Sequence, residues 1–294
     1  MGCDDPDGEA REGPAHAPGG RDRHQRRNRL GAPYGACVSE VASRVAVVTG
    51  ASSGIGAELA RGLARRGWRC VLLARREERL RPLAEETAGE FELCDVSDRA
   101  SVEAVAARVL ERHPRINLLV NNAGIPGRAG FLEADPEVIE NLMRTNYLGG
   151  IWCLRAFLPG LVAAAPSDVV NVVSVAGAVA FPPSGPYSAS KHAELAFSRA
   201  TAGELRARGI RVHTVNPGFV ETEGFPQRTA LRTALFRRLV IEPDDVARHV
   251  LRVVDRDKRE TFVPRYYRLA ALAQSIAPSL VARLAGRSGY RRNS

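Results

Sequence analysis

Seven short apolar runs, each separated from the next by a longer segment with helix or loop signals, constrain this chain more than any other feature. They are 45–49 (VAVVT), 69–74, 91–95, 116–120, 169–173, 210–215 and 261–263. Runs of aliphatic, often β-branched residues read as strands buried on both faces, as in a parallel sheet. A helix is expected over Ile55–Arg66. Asp135 caps another that starts at Pro136, the favoured first helical position. A third opens at Tyr187 and runs to about Ala207, and a fourth covers 244–255. This alternation predicts an α/β fold, a doubly wound, Rossmann-like parallel sheet that binds its ligand at the strands' carboxyl ends.

Composition bounds the rest. Among 294 residues, 45% are hydrophobic and 26% charged, which suits a single globular domain with a full core plus tails. The net charge is +9, but residues 265–294 alone hold six arginines and no acid. Without basic–aromatic interleaving, the charge does not argue for nucleic acid. Residues 1–42 are rich in Gly, Pro, Ala and charge without apolar periodicity, so a disordered tail is expected there. The tail has no apolar core of a secretory signal, its early acids do not suit a transit peptide, and Pro6 stands where myristoylation wants Ser or Thr. No unbroken run of 18 apolar residues occurs, so no membrane span is expected. The five cysteines, 3, 37, 70, 94 and 153, lack metal-ligand spacing; reduced thiols in a cytoplasmic protein are expected, and no metal site. The expected layout is a tail (1–42), a catalytic domain (43–264) and a basic helical extension (265–294).

Chemistry-bearing residues gather at the strand ends. TGASSGIG (49–56) follows the first strand, and Gly50, Gly54 and Gly56 fit a turn that brings backbone N–H groups and a helix N-terminus up to a pyrophosphate, with Ser52, Ser53 and Ile55 in the same turn. Its Gly-x-x-x-Gly-x-Gly spacing departs from the commoner G-x-G-x-x-G. Arg75 and Arg76 end the second strand, Asp95-Val96 the third, and NNAG (121–124) the fourth. Ser174 stands at the tip of the fifth. Tyr187 and Lys191, four residues apart, share one helix face. An ammonium beside a phenol favours its ionised form, which suits the pair to proton transfer at an alcohol or carbonyl oxygen. By itself Tyr-x-x-x-Lys is equally a surface helix contact. Yet only two of the 42 basic residues are lysine, and one falls here. Asn146 lies on the helix after Asp135, just before Gly149-Gly150, which permits a kink.

These residues resemble the short-chain dehydrogenase/reductase family over about 43–264. The match comprises Thr49-Gly-x-x-x-Gly-Ile-Gly56, Asp95-Val96, Asn121-Asn-Ala-Gly124, Asn146, Ser174, Tyr187-x-x-x-Lys191, and Pro217-Gly218 with Val220 and Thr222. Val173 stands where many members carry a second serine. The resemblance implies that Tyr187 is the acid in reduction and the base in oxidation. Lys191 supports it and holds the nicotinamide ribose, Ser174 polarises the substrate oxygen, and Asn146 holds a water linking Lys191 to solvent. Asp95 is implied at the adenine, Asn122, Ala123 and Gly124 against the cofactor, and Pro217, Gly218 and Thr222 at the carboxamide. Homodimers or homotetramers through the helices bearing Asn146 and Tyr187 are also implied. Where an acid would accept the ribose 2′-hydroxyl of NAD, the chain has Arg75-Arg76, so NADP(H) is expected over NAD(H).

A nonenzymatic dinucleotide-binding sensor or scaffold is the alternative, though it would not need the Asn–Ser–Tyr–Lys set; epimerase and dehydratase relatives share the Tyr–Lys pair but are longer. The loop 219–242 and Phe181-Pro182-Pro183 are expected to shape the substrate pocket. Phe219, Phe225, Leu231, Leu235 and Phe236 bias it toward apolar carbonyl compounds, or simply pack the loop. In the extension, Leu269, Leu272, Ile276, Leu280 and Leu284 recur at helical steps. They are expected to pack on the chain's own domain or a partner subunit, with a helix on anionic lipid or a lid as the alternative.

Overall fold

The computed structural model describes residues 44–127, 130–181, 184–228 and 234–287. The expected tail, Pro182, Pro183, Leu231 and the side chains of Leu235 and Phe236 lie outside the described residues.

All seven strands form, and all pair in parallel: β1 (Val45–Thr49), β2 (Arg69–Ala74), β3 (Glu90–Leu93), β4 (Leu118–Asn121), β5 (Ser167–Val172), β6 (Ile210–Pro217) and β7 (Glu260–Val263). Their order is β3-β2-β1-β4-β5-β6-β7. The chain therefore reverses its direction of travel between β1 and β4, and parallel sheets of this kind open a crevice at that point. Within β1, Ala46 and Val48 belong to one core and Val45 and Val47 to the other, because successive side chains of a strand point to opposite faces.

Helices cover both faces. α1 (Gly54–Ala64), α2 (Glu77–Thr87) and α8 (Pro243–Asp255) supply one core through Leu59, Leu63, Leu80, Val246 and Val250. α3 (Arg99–Arg112), α5 (Gly149–Ala164) and α6 (Gly185–Glu204) cover the other face, where Phe157 and Leu161 are fully buried. Each such side chain contributes about 1.5–3 kcal/mol of transfer free energy. Short helical pieces complete the chain: α4 (Pro136–Met143), α7 (Ala234–Arg237), α9 (Tyr267–Ile276) and α10 (Pro278–Arg287). Asp135 caps α4 as expected, accepting from the Glu137 N–H at 2.9 Å.

Three features differ from the sequence expectations. The irregularity near Asn146 is a π-helical turn, Arg144–Leu148, inserted between α4 and α5; Gly149 and Gly150 follow it in regular helix. Secondly, Pro136–Ala164 forms one helical stretch of 29 residues that holds an 18-residue window of mean hydropathy 1.4, long and apolar enough to cross a membrane, although the sequence shows no unbroken apolar run. Part of that apolarity serves the core, with Cys153, Leu154, Phe157 and Leu161 buried against the sheet side of the domain. Thirdly, Leu269, Leu272, Ile276, Leu280 and Leu284 do not pack on their own domain but are 56–74% exposed. Tyr267, buried in a third cluster with Phe219, Val175 and Phe262, anchors α9, and Ala271 and Val281 turn inward with it. The helix is thereby rotated so that the leucine stripe faces out.

Candidate active site

The crevice begins where β1 runs out. Between Thr49 and α1 the chain turns through Gly50, whose φ of +65° suits glycine. A Cβ at Gly50 would lie 2.8 Å from Ala123 Cα, and one at Gly56 would lie 2.4 Å from the Gly50 carbonyl oxygen. The glycines are thus required for close backbone approach. The turn is braced from β4: Asn122 Nδ2 donates to the Thr49 carbonyl at 3.0 Å, and the N–H groups of Asn122 and Ala123 both donate to Thr49 Oγ1. Ser53 precedes α1 without a side-chain cap, which leaves the helix's first-turn N–H groups unclaimed by a capping side chain. Ser52, Ser53, Gly54 and Ile55 line the crevice there. A turn cut this close, ahead of a helix N-terminus, fits a bound phosphate.

At the tip of β2 the two arginines diverge. Arg76 bends back over the turn, Nη2 donating to Ser53 Oγ at 2.8 Å and to Ser52 Oγ at 3.1 Å, and it also faces Glu223. Arg75 stays largely in solvent with Nη1 3.6 Å from Asp95 Oδ2. Asp95 accepts from the N–H and hydroxyl of Ser97 at 3.0 and 2.7 Å. Partial burial works to raise its pKa, but Ser97 and Arg75 outweigh it and the carboxyl is held below its ordinary range. Arg75, Arg76, Asp95 and Val96 all line the crevice, as do Asn122, Ala123 and Gly124.

Ser174 follows β5. Its Oγ accepts from the Ala176 N–H at 3.1 Å, which leaves the hydroxyl hydrogen able to donate into the cavity that Ser174 lines. Across from it, the first turns of α6 carry Tyr187, whose ring packs on Phe225 at 5.9 Å between centroids, and then Lys191. Ser174, Tyr187 and Lys191 line the same cavity, together with Pro217, Gly218, Val220 and Thr222 from the end of β6 and beyond. Two expected residues sit behind the lining. Gly56 lies under Gly50, and Asn146 is buried, with its Oδ1 accepting from the Ile125 N–H at 2.8 Å and its Nδ2 donating to the Ile125 carbonyl and to Ser190 Oγ. Asn146 therefore ties the π-helical turn to the strand-β4 loop and to α6.

The Lys191 ammonium is buried and donates to Glu194 Oε2 at 2.7 Å, with the Val172 carbonyl at 3.4 Å. Burial alone would lower the Lys191 pKa, but Glu194 and Tyr187 outweigh it and the net direction is upward. Burial pushes Glu194 the opposite way from an ordinary ion-paired carboxylate, up to about 7, against the pull of Lys191. The sequence reading passed over Glu194, although an acid three residues after a lysine on one helix is a visible pairing signal.

The cavity encloses about 480 Å³ and ends on apolar side chains, among them Phe181, Phe219 and Phe225. Ser184 and Gln227 also line it, and Ser184 Oγ and Gln227 Oε1 are buried without a hydrogen-bond partner among the described residues. Neither was singled out from sequence, because the segment gives no local sign of which polar groups turn inward. Among the described residues no His/Cys/Asp/Glu group could hold a metal.

A family model described as short chain dehydrogenase matches residues 44–231. Dehydrogenase/reductase SDR family member 7B of Xenopus laevis is 32% identical over 257 residues, covering 80% of this chain and 79% of the relative. Among solved structures, an actinorhodin polyketide ketoreductase variant with NADPH superposes with a TM-score of 0.66 at 33% identity, over 72% of this chain and 90% of that one. A short chain dehydrogenase/reductase from Burkholderia phymatum in complex with NAD gives 0.71 at 25% identity, over 86% and 98%.

Proposed function

The chain belongs to the short-chain dehydrogenase/reductase family, and on that premise we propose that it is an NADP(H)-dependent oxidoreductase interconverting a carbonyl and an alcohol on a largely apolar substrate. One observation carries the reading: Ser174, Tyr187 and Lys191, from two separate elements, line one cavity beside a glycine-cradled helix N-terminus. A sensor that only bound a dinucleotide would not need this convergence.

When bound, the dinucleotide would supply a hydride to the carbonyl carbon, or receive one from the alcohol. It would be held by the turn Gly50–Gly56, by Asp95 and Val96, by Asn122–Gly124, and by Pro217, Gly218, Val220 and Thr222. Arg75 and Arg76 would take the 2′-phosphate, a dianion that the guanidinium fork suits. Ser174 Oγ–H donates to the substrate oxygen and fixes its position. Tyr187 passes its hydroxyl proton to that oxygen in reduction and removes one in oxidation. Lys191 sets its buried ammonium beside the phenol during that exchange and would hold the ribose. Asn146 braces the wall around Gly124 and Ile125, and its Oδ1 retains a second lone pair for a water beside Lys191.

The aromatic end of the cavity supports an apolar substrate body. Ser184 and Gln227 support a second polar function on it, since buried polar atoms are normally paired. The buried, unpaired Cys70, Cys94 and Cys153 support a cytoplasmic setting. A homo-oligomer through the helices bearing Asn146 and Tyr187 completes the proposal.

The test is an NADPH-consumption screen over aldehydes, steroids, keto-acyl compounds and quinones. Turnover with at least one apolar ketone or aldehyde is expected. No turnover of any carbonyl, with NADPH bound tightly, would favour the sensor.

A further inference from the structure

Lys191 is held from behind. Glu194, one turn further along α6, is 5% exposed and does not line the cavity that Lys191 lines. Its Oε2 accepts from Lys191 Nζ at 2.7 Å, and the Val172 carbonyl lies at 3.4 Å, so two of the three ammonium hydrogens have partners on the protein side. The third is left for the cleft, where a Cβ on Gly124 would come within 3.7 Å of Nζ.

Resting on the reading of Tyr187 and Lys191 given above, we propose that Glu194 is a positioning residue. From outside the cavity it fixes where the Lys191 ammonium sits, and its own protonation sets how much of that positive charge acts on the phenol and the ribose. A carboxylate at this distance neutralises much of the ammonium's field. A neutral carboxylic acid still accepts the hydrogen bond but leaves the field intact.

The switch falls in a useful range, because burial brings Glu194 up to about 7. Its surroundings leave little else to titrate there. The 3-10 turn Val175–Gly177, packed on α6, carries no titratable group. β6 brings Arg211 and His213, both engaged by Asp168. The π-helical turn brings Arg144 and Tyr147, α4 brings Glu137 and Glu140, and the turn Arg206–Arg208 brings Arg206 and Arg208. None of these acts on either member of the pair; Tyr187 acts on Lys191, and the two act on each other. His192, on the same helix, engages the Ser188 carbonyl with its Nδ1.

Three proteins separate the effects: wild type, Glu194→Gln, which keeps shape and acceptor but not charge, and Glu194→Leu, which keeps neither. Each is titrated with NADPH by fluorescence and assayed for turnover from about pH 6 to about pH 9, with melting temperature as a folding check. The wild type should show an inflection near pH 7 in kcat and in NADPH affinity. Glu194→Gln should lose that inflection and keep kcat within about threefold of the wild-type acid-side value, while Glu194→Leu should lose about tenfold or more in kcat and bind NADPH more weakly. A purely structural role would lower melting temperature and leave the inflection in Glu194→Gln, which overturns the proposal, as does a flat wild-type profile. Should no carbonyl be turned over, the enzyme reading fails by itself, and the NADPH titrations still decide the role of Glu194.

Discussion

Arg76 Nη2 lies 2.8 Å from Ser53 Oγ, so a side chain from the end of β2 closes over the turn that leads into α1. Two guanidiniums therefore stand at this end of the crevice, Arg76 against the turn and Arg75 at its solvent edge beside Asp95.

Loss of either arginine should weaken NADPH and spare NADH. A hydrogen bond to a charged group contributes about 1.5–3 kcal/mol, or roughly 10–150-fold in affinity. Arg75→Ala and Arg76→Ala are each expected to raise the NADPH dissociation constant by a factor in that range, with NADH changed by about twofold or less. Fluorescence titration of both cofactors checks this. Equal affinity of the wild type for NADPH and NADH would end the argument for a 2′-phosphate site.

Tyr187→Phe should remove the transferable proton while keeping the ring contact with Phe225. Turnover is expected to drop by about 10²–10⁴-fold with NADPH binding unchanged. Near-normal turnover on a substrate found by screening would take Tyr187 out of the reaction.

The C-terminal helices give a stability contrast. Tyr267 is buried, and a Cβ on Gly218 would come within 2.1 Å of its ring, so the tyrosine fills the space over the end of β6. Tyr267→Ala should cost about 3–5 kcal/mol, as large-to-small aromatic truncations in cores do. Ile276→Ser, at a position 74% exposed, should stay within about 0.5 kcal/mol. Urea melts of the two variants decide it, and a large loss at Ile276 would mean that the outward stripe is covered in solution.

Glu194 also ties stability to pH. Its folded-state pKa is about 7, above the ordinary glutamate value, so between those values the folded chain holds a proton that the unfolded chain has released. Stability from this group is therefore highest in acid and declines as pH rises toward about 7, the reverse of an ordinary salt-bridged carboxylate. Lys191, shifted upward, keeps its own contribution throughout that window and loses it only in strong base. The melting-temperature difference between wild type and Glu194→Gln should thus move against the wild type from about pH 5 to about pH 8. A difference independent of pH would show that the folded chain does not bind that proton.

Much of this protein is legible in its sequence because the signals are local. The strand runs, the Asp135-Pro136 helix start and the glycines before α1 depend on a few adjacent residues; the helix start and the glycines lie where those residues place them, and the strands form with ends shifted by up to two residues. The doubly wound parallel sheet follows from the alternation, whereas the strand order β3-β2-β1-β4-β5-β6-β7 is a property of the tertiary structure. The side-chain partnerships are not local. Whether Arg75 or Arg76 reaches the turn depends on the rotamers at a strand tip and on Ser52 and Ser53, more than twenty residues earlier. That Glu194 meets Lys191 out of solvent depends on how β5, the turn after it and β6 pack on α6. The outward leucine stripe depends on Tyr267 docking over Gly218, a contact across about fifty residues of chain. Periodicity tells that a helix has an apolar face, but the rest of the molecule decides which way that face turns.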